Sequence, residues 1–164
     1  TSRPFVLCID PDERPEKRFL QDLHKLAAEY NNKDQVITIH YRELWNNINT
    51  WRSDGIWQEK TRPLFFQLSN KMTFSFKHQY HVPWAYDEIV NNQTLLDYNI
   101  YHLKMIKDVD REKRKNLYNS LDPNAEIQHI GYNYLNDKKG LSLQKIDKNR
   151  AYDYKSVPKY YKES

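Results

Sequence analysis

The residues with the clearest chemical potential are two aspartates, Asp10 and Asp12, which are separated by a single proline. They follow the apolar run 5–9, which predicts a strand buried on both faces and central in a sheet. Since both carboxylates follow the carboxyl end of that strand, they can reach the same side of it. Carboxylate oxygens suit Mg²⁺ or Mn²⁺ held jointly with substrate phosphates. The pattern predicts a metal site, with helix capping or turn support by Asp10 as the alternative.

The elements that must position these carboxylates are a helix and several strands. Apolar residues recur at helical spacing from Phe19 to Tyr30, which predicts a helix directly after the acidic turn. Residues 35–41, 63–68, 72–76 and 95–101 are typical of strands. A charged helix is predicted over 102–121, with apolar contacts from Leu103, Ile106, Val109 and Leu117.

Two further stretches carry weaker patterns. Residues 43–60 include Trp45, Trp51 and Trp57, and they are predicted to form a long loop. With Trp84, these tryptophans could form a stacking platform for sugar rings, or they could simply anchor the core. Residues 128–135 and 141–146 flank a turn-forming sequence that predicts a hairpin, with a helix as the alternative, and residues 147–164 are basic and rich in tyrosine.

Composition limits the class of protein. The chain has 164 residues, enough for one compact domain, and a formal charge of +4 with the two signs interspersed. That excess suits a nucleotide diphosphate, an anionic polymer or an acidic membrane equally well, and it does not require nucleic-acid binding. A disulfide framework is excluded because Cys8 is the single cysteine. No apolar run approaches the roughly 20 residues of a membrane span, so a cytoplasmic location is expected.

The acidic turn also resembles a known family. Residues 5–14, continuing into 19–23, are similar to the metal-binding segment of the family-2 glycosyltransferases of bacterial polysaccharide synthesis. Members related to lipopolysaccharide-core and capsule transferases carry an aspartate, a small residue and then Asp-Glu-Arg at this strand end. Residues 61–66 resemble the family's Arg-Leu-Phe strand with Pro63 inserted, His81 corresponds to a downstream histidine, and residues 99–103 match a strand that ends in a histidine.

The resemblance implies an α/β protein with an A-type glycosyltransferase fold, in which helices flank a mixed sheet. It also implies Mn²⁺ or Mg²⁺ as cofactor, and inverting transfer of a sugar from a nucleotide-diphosphate donor to a polysaccharide or glycolipid. Asp10, Asp12 and His102 would then be the metal ligands, and Glu13 and Arg62 would contact the donor. For His102, a strand-end histidine satisfied by a backbone carbonyl is the alternative.

An inverting transfer needs a general base for the acceptor hydroxyl. The family commonly supplies it from a Glu-Asp pair at a helix start, and this sequence has no such pair. Asp87 and Glu88 are the nearest substitutes in order, with Asp54 as a rival.

The family fold also opens with a nucleotide-binding βαβ unit before the metal motif. We therefore expect residues 1–121 to be the metal-binding and acceptor-side part of a longer transferase domain, with 122–164 as a C-terminal extension. The basic run 104–115 is predicted to be a solvated helix face or a contact for an anionic acceptor or the inner membrane surface. The alternatives are a basic, aromatic nucleic-acid-binding module, a metal-dependent nuclease or phosphotransferase, and a noncatalytic interaction domain. Nucleic acid is not an expected partner.

Overall fold

A mixed five-stranded sheet forms the centre of the protein, which has the predicted α/β class. The computed structural model describes residues 3–68 and 92–163. The sheet order is β1-β5-β3-β6-β2, with β3 and β6 parallel and the other pairs antiparallel. A second sheet pairs β4 with β7. The strands are β1 (Phe5–Leu7), β2 (Glu13–Pro15), β3 (Val36–Glu43), β4 (Thr50–Arg52), β5 (Thr61–Gln67), β6 (Gln93–His102) and β7 (Leu143–Lys145).

Helices pack around these sheets. They are α1 (Lys17–Glu29), α2 (Ile56–Glu59), α3 (Asp108–Leu121) and α4 (Lys159–Lys162), with 3-10 turns at Leu103–Met105, Asn133–Leu135, Lys148–Arg150 and Tyr154–Ser156. In the part of the chain that the structure describes, no helix is both long and apolar enough to cross a membrane. The predicted strand at 72–76 lies outside the described residues.

The strand before the acidic turn is an edge strand, so its predicted central position is wrong. β1 pairs with β5 alone among the described strands, and its three residues are half-buried. An apolar run of this kind is typical of a strand in the interior of a sheet. In the structure, β1 has a described strand on one side only. The reason is tertiary: β5 enters between β1 and β3, which moves β3 to the middle of the sheet.

The helix predicted directly after the acidic turn is present as α1. Phe19, Leu23 and Leu26 project from one side of α1 onto the sheet, as their spacing requires. Phe19 packs edge-on against Phe65 and Tyr98, with ring centroids 6.4 and 5.3 Å apart. This packing fixes the direction in which the chain leaves the acidic turn.

Two local predictions are wrong because tertiary contacts override local patterns. Residues 43–60 are not one long loop, since they contain β4 and α2. Residues 128–146 form no hairpin, because β7 pairs with β4 instead.

The charged helix predicted over 102–121 begins later, because α3 starts only at Asp108, after the 3-10 turn. The helical phase therefore shifts. Leu103 and Ile106 are buried as predicted, whereas Val109 and Leu117 are exposed.

The C-terminal residues are built into the core rather than appended to it. Tyr152 and Val157 are buried in one cluster with Leu44, Tyr101 and Leu103. The hydroxyl of Tyr152 donates to the carbonyl of Ile48 at 2.7 Å. Residues 147–157 therefore cover one face of the main sheet.

We expect Tyr152→Phe to lower the free energy of unfolding by about 1–2 kcal/mol, since it leaves a buried carbonyl without its donor. Urea denaturation followed by circular dichroism measures this in a single transition. Tyr160→Phe is the control at an exposed position, where the hydroxyl donates to the Asp110 carboxylate at 3.0 Å, and its effect should stay within about 0.5 kcal/mol. A Tyr152→Phe variant as stable as the wild type would show that the Tyr152 hydrogen bond contributes nothing to stability.

Candidate functional site

Three parallel strands end at the same edge of the main sheet. β1 and β3 are both antiparallel to β5, and β6 is parallel to β3, so the carboxyl ends of β1, β3 and β6 lie together. The acidic turn follows β1, Glu43 ends β3 and His102 ends β6. In open α/β sheets, ligands bind in the crevice outside these strand ends.

The acidic turn is held in one conformation by its own hydrogen bonds. The backbone N–H of Glu13 donates to the carbonyl of Asp10 at 2.9 Å, which closes a β-turn with Pro11 in its second position. The Glu13 carboxylate in turn accepts from the backbone N–H of Asp10 at 2.9 Å. The turn therefore presents the side chains of Asp10 and Asp12 on a fixed frame.

Arg62, near the start of β5, binds the turn from the neighbouring strand. Its Nη2 lies 3.0 Å from Asp10 Oδ2, and its Nε lies 2.9 Å from Glu13 Oε1. The second contact is an ion pair without hydrogen-bond geometry, so Arg62 Nε and Glu13 Oε1 have no hydrogen-bond partner among the described residues. Burial raises the pKa of Glu13, with Arg62 acting against it.

His102 lies between two carboxylates. Its Nδ1 is 2.5 Å from Glu43 Oε2, and its Nε2 is 3.3 Å from Asp12 Oδ2. The first contact follows from strand register, because Glu43 and His102 are direct partners in the β3–β6 ladder. The second follows from the pairing of Glu13 with His102 between β2 and β6. His102 is thus beside Asp12, where the metal-site prediction requires it.

Glu43 is a buried carboxylate surrounded by cationic groups. Lys60 Nζ lies 3.0 Å from its Oε1, His102 lies on its Oε2, and Arg114 of α3 acts on it electrostatically. Burial by itself raises the pKa of Glu43, but Lys60 and His102 outweigh it and hold the pKa far below its ordinary value. Glu43 therefore stays ionised and fixes the His102 ring.

His102 and Asp12 each stabilise the charged form of the other. Burial alone lowers the pKa of His102, but Glu43 and the hydrogen bonds to Asp12 and Glu43 raise it above the ordinary value. For Asp12, burial raises the pKa, and the contacts with His102 reverse this to a net lowering. Both shifts favour the charged form of each group.

The donor set fits a divalent cation held jointly with a substrate. Asp12 Oδ2 and His102 Nε2, at 3.3 Å from each other, lie at the separation of two neighbouring ligands of one ion, and a cation bound there would take the place of the proton on Nε2. The carboxylate of Glu43 on the other ring nitrogen is the usual support for a metal-binding histidine. Across residues 3–68 and 92–163, no three histidine, cysteine, aspartate or glutamate side chains form a complete metal site.

The other sequence-predicted residues are distributed as follows. Asp10 and Glu13 are bound by Arg62, whereas Asp12 contacts His102, and among the described residues Asp10 does not join Asp12 and His102 in a three-ligand group. Asp54 is not brought to it: its carboxylate accepts from Arg52 and from the backbone N–H of Ser142. These contacts lower its pKa against the effect of burial. The remaining candidates, Asp87 and Glu88, and the histidine at 81, lie outside the described residues.

Sequence reasoning missed Glu43, Lys60 and Arg114. Glu43 comes two residues after the predicted strand 35–41, much as the two aspartates follow theirs, and that shared position was a usable signal. Lys60 and Arg114 carried no local signal, because a lysine before a strand and an arginine in a charged helix are ordinary on a surface.

The tryptophans are not a sugar-stacking platform in the described part of the chain. Trp45 and Trp57 are buried and pack edge-on at 5.5 Å. Trp51 is half-buried, and the guanidinium of Arg42 lies 4.2 Å from its ring centre. Arg111, which belongs to the basic run 104–115, stacks on Trp45 and is 0% exposed. The run is therefore not a uniformly solvated helix face. Trp84 lies outside the described residues.

Comparisons with protein-family models, with curated proteins and with solved structures found no match to this chain. The site must therefore be interpreted from its own geometry.

The raised pKa of His102 predicts a pH dependence of stability. The folded protein binds this proton more tightly than the unfolded chain, so the contribution is fully present below the ordinary value of 6.5. It is lost as the pH rises from there through the higher pKa of the folded state. We expect the free energy of unfolding to fall over that range, as measured by urea denaturation between about pH 6 and 9.

His102→Gln should remove this slope, while His24→Gln, at an exposed position, should keep it. A wild-type stability that stays constant across the range would contradict a raised pKa of His102 in the folded protein.

Proposed function

We propose that this chain is the metal-binding part of a nucleotide-sugar glycosyltransferase with an A-type fold. The observation that carries the proposal is the meeting of Asp12 and His102 at the carboxyl ends of three parallel strands. The resemblance of the acidic turn to the family-2 transferases supports the same interpretation. The proposed reaction is inverting transfer to a polysaccharide or glycolipid of the bacterial envelope.

In this proposal, Asp12 and His102 hold Mn²⁺ or Mg²⁺, and Asp10 is the further candidate ligand. A divalent cation bound there would neutralise the leaving diphosphate and act as a Lewis acid on its oxygens. Glu43 fixes the His102 ring so that Nε2 faces Asp12. Arg62 sets the position of Asp10 and pairs with two carboxylates of the acidic turn, which suits a role on the donor side with Glu13.

The general base is proposed to come from Asp87 or Glu88. Asp54 is the weaker candidate, because Arg52 binds both of its oxygens and the lowered pKa makes it a poor proton acceptor. A base with a pKa near the working pH accepts a proton more effectively than one held far below it.

The proposed partners are a nucleotide-diphosphate sugar and an acceptor at the inner face of the membrane, with peripheral contact to that surface. Nucleic acid is not among them. The basic groups of the run 104–115 do not form a single patch, since Arg111 is buried and Lys107 lies over Tyr160.

The proposal is tested by binding of uridine, guanosine and thymidine diphosphate sugars with and without Mn²⁺, measured by calorimetry on the protein that contains this chain. We expect Mn²⁺ to be required for binding one of these donors, and EDTA to abolish it. In the same assay, His102→Ala should raise the Mn²⁺ concentration needed. Metal-independent donor binding, or nanomolar affinity for DNA or RNA at physiological salt, would overturn the proposal.

A further inference from the structure

A second concave site lies on the other face of the main sheet. It is a cavity of about 310 Å³ between β3, β6 and the C-terminal segment. Residues of β3 and β6 alternate between the two faces, so Arg42 and Tyr101 point here while Glu43 and His102 point to the candidate metal site. The two sites therefore use different side chains of the same strands.

Arg42 is the unusual residue of this cavity. Its guanidinium lies 4.2 Å from the centre of the Trp51 ring, donates from Nε to Asn99 Oδ1 at 3.1 Å, and donates from Nη1 to the carbonyl of Gln58 at 2.6 Å. It is half-buried, yet it has no carboxylate within ion-pair distance among the described residues. A partly buried charge held rigidly and left without a counterion is costly unless a ligand supplies the opposite charge.

A second guanidinium nearby raises the free-energy cost of the partly buried Arg42 charge. Arg150 lines the same cavity, and burial together with the charge of Arg150 lowers the pKa of Arg42. Arg150 is itself compensated, because it binds Asp97 with two contacts of 2.9 Å and Glu16 at 3.0 Å. Asp97 is therefore already paired with Arg150 and acts on Arg42 only from a longer distance, so Arg42 is the guanidinium of this cavity without an ion pair among the described residues.

The rim contributes neutral and charged groups. Gln144, Lys145, Asp147 and Asn149 line its open side, and all four are exposed. Lys145 offsets Asp147, so the excess charge of the cavity remains positive and centred on Arg42. The two amides can donate to and accept from hydroxyl groups.

We propose that this cavity binds an anionic saccharide, with its carboxylate or phosphate on Arg42 beside Arg150 and its hydroxyls on Gln144 and Asn149. The Nη2 group of Arg42 has no hydrogen-bond partner among the described residues, and a guanidinium N–H suits either oxyanion. The volume is of the size that accommodates a small ligand. The inference goes beyond the proposed function and does not depend on it, because neither a donor nor a metal ion is needed for binding.

The test is calorimetric titration of the full chain, without divalent metal, with glucose 6-phosphate, glucuronate, inorganic phosphate and glucose. We expect at least one of the two anionic sugars to bind more tightly than both inorganic phosphate and glucose. The stronger of the two identifies the oxyanion. Equal binding of glucose, or inorganic phosphate as the best ligand, would overturn the proposal.

Variants locate the site. Arg42→Gln should weaken the sugar anion by about tenfold or more, since it removes a charge-assisted pair. Lys139→Gln makes the same change of charge at an exposed position outside the cavity and should leave the affinity unchanged. In the wild-type chain, heteronuclear NMR should show the ligand shifting the Trp51 indole and the Gln144 and Asn149 amides. Unmoved signals there would overturn the assignment even if Arg42→Gln failed to fold.

Discussion

Asp12→Asn is expected to abolish sugar transfer and to weaken Mn²⁺ binding by at least about 100-fold. The substitution keeps the shape of the side chain and removes the charge that faces His102 Nε2 across 3.3 Å. Stability should change little, by about 1 kcal/mol, because the Asp12 side chain is partly exposed and Glu43 still compensates His102. A large loss of binding with a small loss of stability is the behaviour of a ligand.

The measurement is electron paramagnetic resonance of free Mn²⁺ during titration of the protein, with thermal unfolding in parallel. Asp34→Asn is the matched control, since Asp34 pairs with Arg3 on the surface. It should leave Mn²⁺ binding intact. If Asp12→Asn bound Mn²⁺ as the wild type does, Asp12 would be a structural partner of His102 and the metal proposal would fail.

Glu43→Leu is expected to lower the free energy of unfolding by about 3–5 kcal/mol, the usual result of removing one partner of a buried charge cluster. Glu43 is 1% exposed, and its loss leaves His102 and Lys60 without their shared carboxylate. Leucine fills much of the volume, so the effect reports charge and hydrogen bonding rather than a cavity. Urea denaturation at neutral pH measures it.

Two further variants serve as comparisons for Glu43→Leu. Glu43→Gln keeps the shape and a carbonyl acceptor for His102, and it should cost less than leucine. Glu59→Gln changes the same charge at an exposed position and should alter stability by no more than about 0.5 kcal/mol. If Glu43→Leu were as mild as Glu59→Gln, Glu43 would not be the group that fixes His102.

Much of the local secondary structure could be predicted from the sequence. α1 follows from the spacing of Phe19, Leu23 and Leu26, and the long strands β3, β5 and β6 follow from their apolar and alternating residues. Local patterns failed where a distant partner decided the outcome. β7 lies in the predicted hairpin arm 141–146, yet it pairs with β4, and among the described strands β1 has β5 as its one neighbour.

What the sequence by itself determined is the chemistry of the acidic turn: two carboxylates after a strand, a proline that shapes the turn, and a helix that leaves it. The tertiary structure alone decided what surrounds them. Glu43 reaches His102 across 59 positions because two parallel strands share a register, and Arg62 reaches Asp10 across 52 because β5 lies beside β1. Register is a cooperative result of the whole sheet, since a shift by one residue turns every side chain to the other face. The same alternation gives Arg42 and Glu43, adjacent in sequence, to two different sites.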